Sequence, residues 1–153
     1  MNEALLKLLG RWEGEGTALF PTITEAAYID TLTFSLDEPH DLIQYEQKTW
    51  RKETQKQSHW EFGFIRQLDD GTVVLNNTQN NGRFEVMSSS LTPQPGRFLL
   101  HFTTTAFSND PRMVKAEREW RVEGDTLTYV QSMATQTVPD LQAHLRATLH
   151  KKL

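Results

Sequence analysis

The sequence predicts an all-β fold: about ten antiparallel strands closed into an up-and-down β-barrel, with a short helix ahead of the first strand. Three observations predict it. Apolar and polar residues alternate through nearly every segment after residue 10, as half-buried strands require. Turn signals interrupt the alternation at short intervals, with neither a βαβ spacing nor a repeat of about 20–50 residues. The third is LLGRWEGEGTALFPTI, Leu8–Ile23, where Gly10, Trp12, Gly14 and Gly16 fall at every second position. Alternate strand residues share a face, and glycine within a strand marks a bend or a close backbone approach. This pattern predicts a strand that curls hard around something.

The elements follow in order. Over Glu3–Leu9, Leu5, Leu6, Leu8 and Leu9 share one side of a short helix that lids the fold. After the glycine-tryptophan strand, residues 26–36 alternate Tyr28, Asp30, Leu32 and Phe34 against Ile29, Thr31 and Thr33. Strands at 41–51 and 59–68 come next, and Asp69–Gly71 turns the chain into 72–79. Asn80–Gly82 turns into 83–92, Pro93–Gly96 into 97–107, and Asn109–Arg112 into 114–122. Glu123–Asp125 leads to 126–135, and the last strand is 144–153. As an open sheet this meander would expose two edges, and closure removes them. A barrel of more than about eight strands has more interior than side chains fill, so a ligand cavity is expected. The whole chain, 1–153, reads as one domain.

Composition narrows the function. A formal net charge of −4 and the lack of a basic stripe interleaved with aromatics argue against nucleic acid as partner. There is no cysteine, which rules out disulfides and thiolate metal sites and suits a reducing cytoplasm. MNEALLKLLGRW lacks the basic start and long apolar run of a signal peptide, and no segment reads as a membrane helix.

Five histidines remain for chemistry: His40, His59, His101, His144 and His150. They form no HxH or HExxH pattern, so a three-histidine zinc site would have to assemble across strands. GxSxG, P-loop and dinucleotide fingerprints are missing too. One neutral imidazole in an apolar cavity can be the axial ligand of haem iron. Alternation speaks against His144, because Leu141, Ala143, Leu145, Ala147 and Leu149 form the apolar face and His144 lies opposite. That argument lapses if VPDLQAH is a helical turn ahead of the strand. From the residues alone, the reading ends at a ligand-binding β-barrel.

Both ends of the chain resemble the nitrobindin family, small all-β haem proteins shaped like fatty-acid-binding proteins. The GxWxGxG pattern is matched by Gly10, Trp12, Gly14 and Gly16, and an aromatic-Pro-Thr-Ile by Phe20–Ile23. His59, Glu61, Gly63 and Phe64 match a His-x-Glu-x-Gly-aromatic, and Gln79 precedes the turn at Gly82. Met133, Ala134, Thr135 and PDLQAHLRATL match the family's end, with His144 on its axial histidine. LNNTQNN is more polar than the family pattern, and the stretch from Met133 to His144 is one residue longer.

The resemblance implies haem b in an open end of the barrel, with His144 as the fifth ligand of ferric iron. Thr22 would lie beside the macrocycle, with Ile23 and Met133 as apolar walls and His59 toward the distal face. Lys115 or Arg118 would pair with propionates. Burying a few hundred Å² of porphyrin would contribute about 10 kcal/mol gross. The implied activity is isomerisation of peroxynitrite to nitrate, or binding of nitric oxide. The implied partners are these small molecules, neither nucleic acid nor membrane, with a homodimer allowed. The rival is a haem-free carrier of a fatty acid or other small apolar ligand. Such carriers grip the carboxylate with an interior Arg-x-Tyr, for which the nearest candidate is Arg118-x-Trp120.

Overall fold

The computed structural model describes all residues, 1–153. Ten strands form one closed barrel: β1 (Gly10–Ala18), β2 (Ala26–Asp37), β3 (Leu42–Arg51), β4 (Gln57–Gln67), β5 (Thr72–Gln79), β6 (Phe84–Gln94), β7 (Arg97–Ser108), β8 (Met113–Glu123), β9 (Thr126–Thr135) and β10 (Gln142–Lys152). Each pairs antiparallel with its sequence neighbour, and β1 closes the ring against β10, Trp12 opposite Lys151 and Ala18 opposite Leu145. The expected turns at 69–71, 80–82, 93–96 and 123–125 each carry a glycine of positive φ, where a side chain would be strained. No helix is long and apolar enough to cross a membrane.

The lid helix α1 spans Glu3–Leu6, shorter than the expected Glu3–Leu9, and Asn2 caps it by accepting from the Ala4 amide. Its leucines do not all face inward as the sequence suggested. Leu5 and Leu8 are buried and Leu9 partly so, while Leu6 stays exposed, because one helical turn cannot aim neighbouring residues the same way. Leu5 and Leu8 plug the barrel against Trp12, whose Nε1–H donates to the Leu8 carbonyl at 2.7 Å. Trp120 meets Phe34, Phe102 and Tyr45 edge-on, at centroid distances of 5.6, 5.3 and 6.1 Å. These rings fill the lidded half of the interior, so unfilled space is left to the opposite half.

The glycines after Trp12 are explained by the closing seam. A Cβ on Gly14 would lie 2.0 Å from the Thr148 carbonyl oxygen, and one on Gly16 would lie 2.5 Å from the Arg146 carbonyl oxygen and also meet the Tyr28 ring of β2 at 2.4 Å. Backbone sits where a side chain would go. Gly14→Ala should therefore lower the free energy of unfolding in urea by about 1–3 kcal/mol, the usual cost of overpacking.

Candidate functional site

At the open end a cavity of about 500 Å³ is lined by the β1–β2 loop, the ends of β4, β5 and β8–β10, and the loops beside them. All five side chains nominated from the sequence line it: Thr22, Ile23, His59, Met133 and His144. Thr22 and Ile23 stand exposed at the mouth, in a loop pinned by the Ile23 amide on the Phe20 carbonyl. A second cavity of about 540 Å³ adjoins the first, and Ile23, His59, Asn81, His144 and Leu145 line both.

His144 reaches the interior by a route that alternation misses. No helical turn precedes it, since residues 136–141 form an irregular turn and β10 begins at Gln142. Instead the pairing of β10 with β9 slips between Ala143, opposite Ser132, and Leu145, opposite Gln131. His144 is the extra residue of a β-bulge, which re-aims a side chain without disturbing the strand beyond it. Leu145, Ala147 and Leu149 keep the inward row, and His144 joins Leu145 on the cavity wall. Leu141, assigned to the apolar face from the sequence, lies before the strand and is exposed.

The imidazole is held in one orientation. Its Nδ1 lies 3.0 Å from the Leu19 carbonyl, which can only accept, so Nδ1 carries the proton and Nε2 keeps its lone pair. Phe20 packs edge-on against the ring at 5.6 Å. Burial pushes the pKa of His144 down, only partly opposed by the hydrogen bond to Leu19, and so favours the neutral ring. Such an imidazole is a ready ligand for a metal centre. The other histidines are spent elsewhere: His40 on Asp37, His101 on Glu117 and His150 beside Thr126. No group of three or more His, Asp or Glu is placed to hold a bare metal ion.

His59 hydrogen-bonds through Nε2 to Glu61 Oε2 at 2.8 Å, and behind it lies a charge network that the sequence reading misplaced. The resemblance offers Arg118 as a partner for haem propionates, and the carrier reading offers it as an interior carboxylate anchor. It is instead almost wholly buried and grips Glu61 with both terminal nitrogens, Nη2 also donating to Glu85 Oε2 at 2.8 Å. Its place in the inward row of β8, with Ala116, Trp120 and Val122, is the signal that could have shown this. Burial alone would push the Glu61 pKa up, but the Arg118 guanidinium and the His59 hydrogen bond hold it well below the ordinary carboxylate range. Lys115 is also not at a ligand, for it lies on the outer face paired with Glu117 at 2.6 Å.

The cations that do line the cavity, Arg83 and Arg112, were not singled out from the sequence. Both face Asp110: Arg112 through two 3.0 Å hydrogen bonds, Arg83 at a looser 3.6 Å. Arg83 Nε is buried without a hydrogen-bond partner, a donor in want of an acceptor. A residue before a strand start (Arg83) and one in a turn (Arg112) carry no periodic signal.

Deeper in, Asp30, Gln47, Tyr28 and Tyr129 form a second buried cluster. Tyr129 donates its hydroxyl proton to Asp30 Oδ2 in a short hydrogen bond, and Gln47 Nε2 donates to the same oxygen at 2.8 Å and to the Tyr129 oxygen at 3.1 Å. Tyr129 has no second proton, so Tyr28 is the donor across the 2.8 Å contact between the phenols.

Replacing Arg118 with Met would leave two buried carboxylates without the guanidinium they share. Arg118→Met should cost about 3–5 kcal/mol at neutral pH. The Glu61 pKa is depressed in the folded state, so its contribution is present above the ordinary value of 4.5 and lost on acidification below it. Urea unfolding at pH 7 and pH 4 should therefore show the smaller deficit at pH 4.

Comparison with known proteins places these features. Residues 1–151 match the family described as THAP4-like, heme-binding beta-barrel domain. The chain is 33% identical over 144 residues to peroxynitrite isomerase Rv2717c of Arabidopsis thaliana, covering 94% of this chain and 84% of that one. It is 34% identical over 152 residues to a peroxynitrite isomerase of Nocardia farcinica (strain IFM 10152), covering 97% and 89%. The crystal structure of Rv2717c from M. tuberculosis superposes with a TM-score of 0.90 at 27% identity, covering 100% of this chain and 99% of that one.

Proposed function

This chain belongs to the family of THAP4-like, heme-binding beta-barrel domains, and from that membership we propose that it holds haem b through His144 and isomerises peroxynitrite to nitrate. The observation that carries the ligand assignment is the bond from Nδ1 to the Leu19 carbonyl, which leaves Nε2 free on the cavity wall. The cavity suits the group in two further ways. Its walls carry the apolar Phe20, Ile23, Met113, Met133 and Leu145, and the unpartnered Arg83 Nε, with Arg112 beside it, suits a propionate carboxylate.

Ferric haem, when bound, supplies a Lewis-acidic iron with an open position for peroxynitrite or nitric oxide. The protein positions that group. His144 would hold it through one nitrogen, Thr22 and Ile23 would cover it from the mouth, and Met133 would form an apolar wall. Glu61 ties down His59 Nε2 and so would keep that nitrogen from binding the iron as well. The names of the relatives support the choice of peroxynitrite as substrate. The lack of cysteine fits a cytoplasmic setting.

The fatty-acid carrier is the weaker reading. Its carboxylate anchor would be Arg118, which already carries Glu61 and Glu85. A third carboxylate there would add buried like charge.

Hemin added to the purified chain should give a Soret band typical of histidine-ligated ferric haem. His144→Ala should weaken haem binding by on the order of a hundred-fold. An unchanged band in that variant would refute the ligand assignment. In stopped-flow mixing, the haem-loaded chain should speed peroxynitrite decay with nitrate as product; decay no faster than in buffer would remove the isomerase reading.

A further inference from the structure

The chain has three tyrosines, and all are buried. Two of them donate to buried carboxylates, but the acceptors differ. Tyr45 donates to Glu61 Oε1 at 3.0 Å, and Glu61 is locked to Arg118. A proton arriving there would have to displace a buried guanidinium. Tyr129 donates to Asp30, which has no cation in hydrogen-bond contact and whose Oδ1 has no partner at all. The pKa of Asp30 is raised to about 6, chiefly by burial and also by the charge of Glu61, against the opposing hydrogen bonds from Tyr129 and Gln47. The carboxyl is thus mostly ionised at neutral pH yet far more basic than an ordinary aspartate.

We propose that Tyr28, Tyr129 and Asp30 form a proton-coupled one-electron donor that reduces the haem after it has been oxidised by a peroxide. The proposal rests on the haem reading above. Hydrogen peroxide, on taking two electrons from the haem and two protons from solvent, would part at its O–O bond into two waters, and the tyrosine would return one of those electrons. As the electron leaves Tyr129, its phenolic proton moves along the existing hydrogen bond to Asp30 Oδ2. A phenol and a carboxylate become a neutral phenoxyl radical and a neutral carboxylic acid. No buried cation forms, which a low-dielectric interior would penalise heavily. The Tyr129 oxygen keeps two donors after losing its proton, Tyr28 O–H and Gln47 Nε2–H.

The cluster also adjoins the place where the electron is needed. Tyr28 lines the second cavity, whose wall includes His144. The Tyr28 hydroxyl also lies 3.3 Å from the Arg146 carbonyl, two residues beyond His144 on the same strand.

The test is electron paramagnetic resonance of the 153-residue chain, loaded with haem as judged by the Soret band, mixed with hydrogen peroxide and frozen. Wild type and Tyr45→Phe should give a tyrosyl radical. Tyr129→Phe should reduce its yield at least ten-fold. Asp30→Asn, which keeps hydrogen-bonding groups but removes the proton acceptor, should reduce it several-fold with the Soret band unchanged. A radical undiminished in Asp30→Asn, or lost in Tyr45→Phe, or absent from the haem-loaded wild type, would overturn the assignment. If Tyr129→Phe fails to fold, Tyr28→Phe should shift the radical spectrum, and an unshifted spectrum counts against the cluster. Should the chain take up no haem, the reading above fails separately. Photo-oxidised ruthenium tris-bipyridine then serves as the oxidant, and the same variants should give the same pattern of radical yields.

Discussion

The last strand is pinned from both sides, and the position of the candidate ligand follows from how it meets that constraint. Against β1, β10 runs in unbroken register from Arg11 opposite Lys152 to Ala18 opposite Leu145. Against β9 the ladder holds from His150 to Leu145, then slips by one residue. A strand fixed on both edges cannot rotate to bring a wrong-facing side chain inward. It can only bulge, and the residue gained is His144. The same closure sets the Leu19 amide on the His144 carbonyl at 2.8 Å, and the Leu19 carbonyl accepts from the ring. Bulge, seam and tautomer therefore belong to one arrangement.

Below the site the interior changes from apolar to charged in a set order. The lidded half is closed by Leu5, Leu8, Trp12 and the rings around Trp120. Above them sit three carboxylates, Asp30, Glu61 and Glu85, with Arg118 as their one fully buried cation. Charges so deep are tolerable only when paired and hydrogen-bonded, and the two arrangements differ. Glu61 is saturated with donors and held ionised, whereas Asp30 is under-supplied and more basic. This polar band divides filled barrel from cavity, and its upper members, Glu61 and Gln79, reach the cavity wall.

The strands were legible because alternation and turn residues are local, and they appear with ends shifted by one or two residues in most cases. β9 and the turns around Gly71, Gly82, Gly96 and Gly124 fall where expected. The site was legible in part, and through resemblance rather than periodicity. Thr22, Ile23, His59, Met133 and His144 do share one cavity, yet strict alternation put His144 outside. A bulge is a property of two paired strands, and no single strand's sequence displays it. Arg118 and Lys115 were misjudged for the opposite reason. Both were read by charge, while their parity on β8 already separated an inward residue from an outward one. Arg83, Arg112 and Asp110 meet only because the β5–β6 turn and the β7–β8 loop lie together in the folded barrel.

Closure of β1 on β10 also bears on when the binding chamber comes into being. Every other ladder joins neighbours along the chain and can zip soon after its hairpin turns, but this one must bring together segments from opposite ends of the polypeptide. Phe20 and His144, which touch edge to face, belong to those two segments. An unsealed barrel thus offers a porphyrin neither the oriented nitrogen nor the aromatic beside it. On the proposed assignment to His144, haem would find its seat only in the finished can, and folding would precede loading.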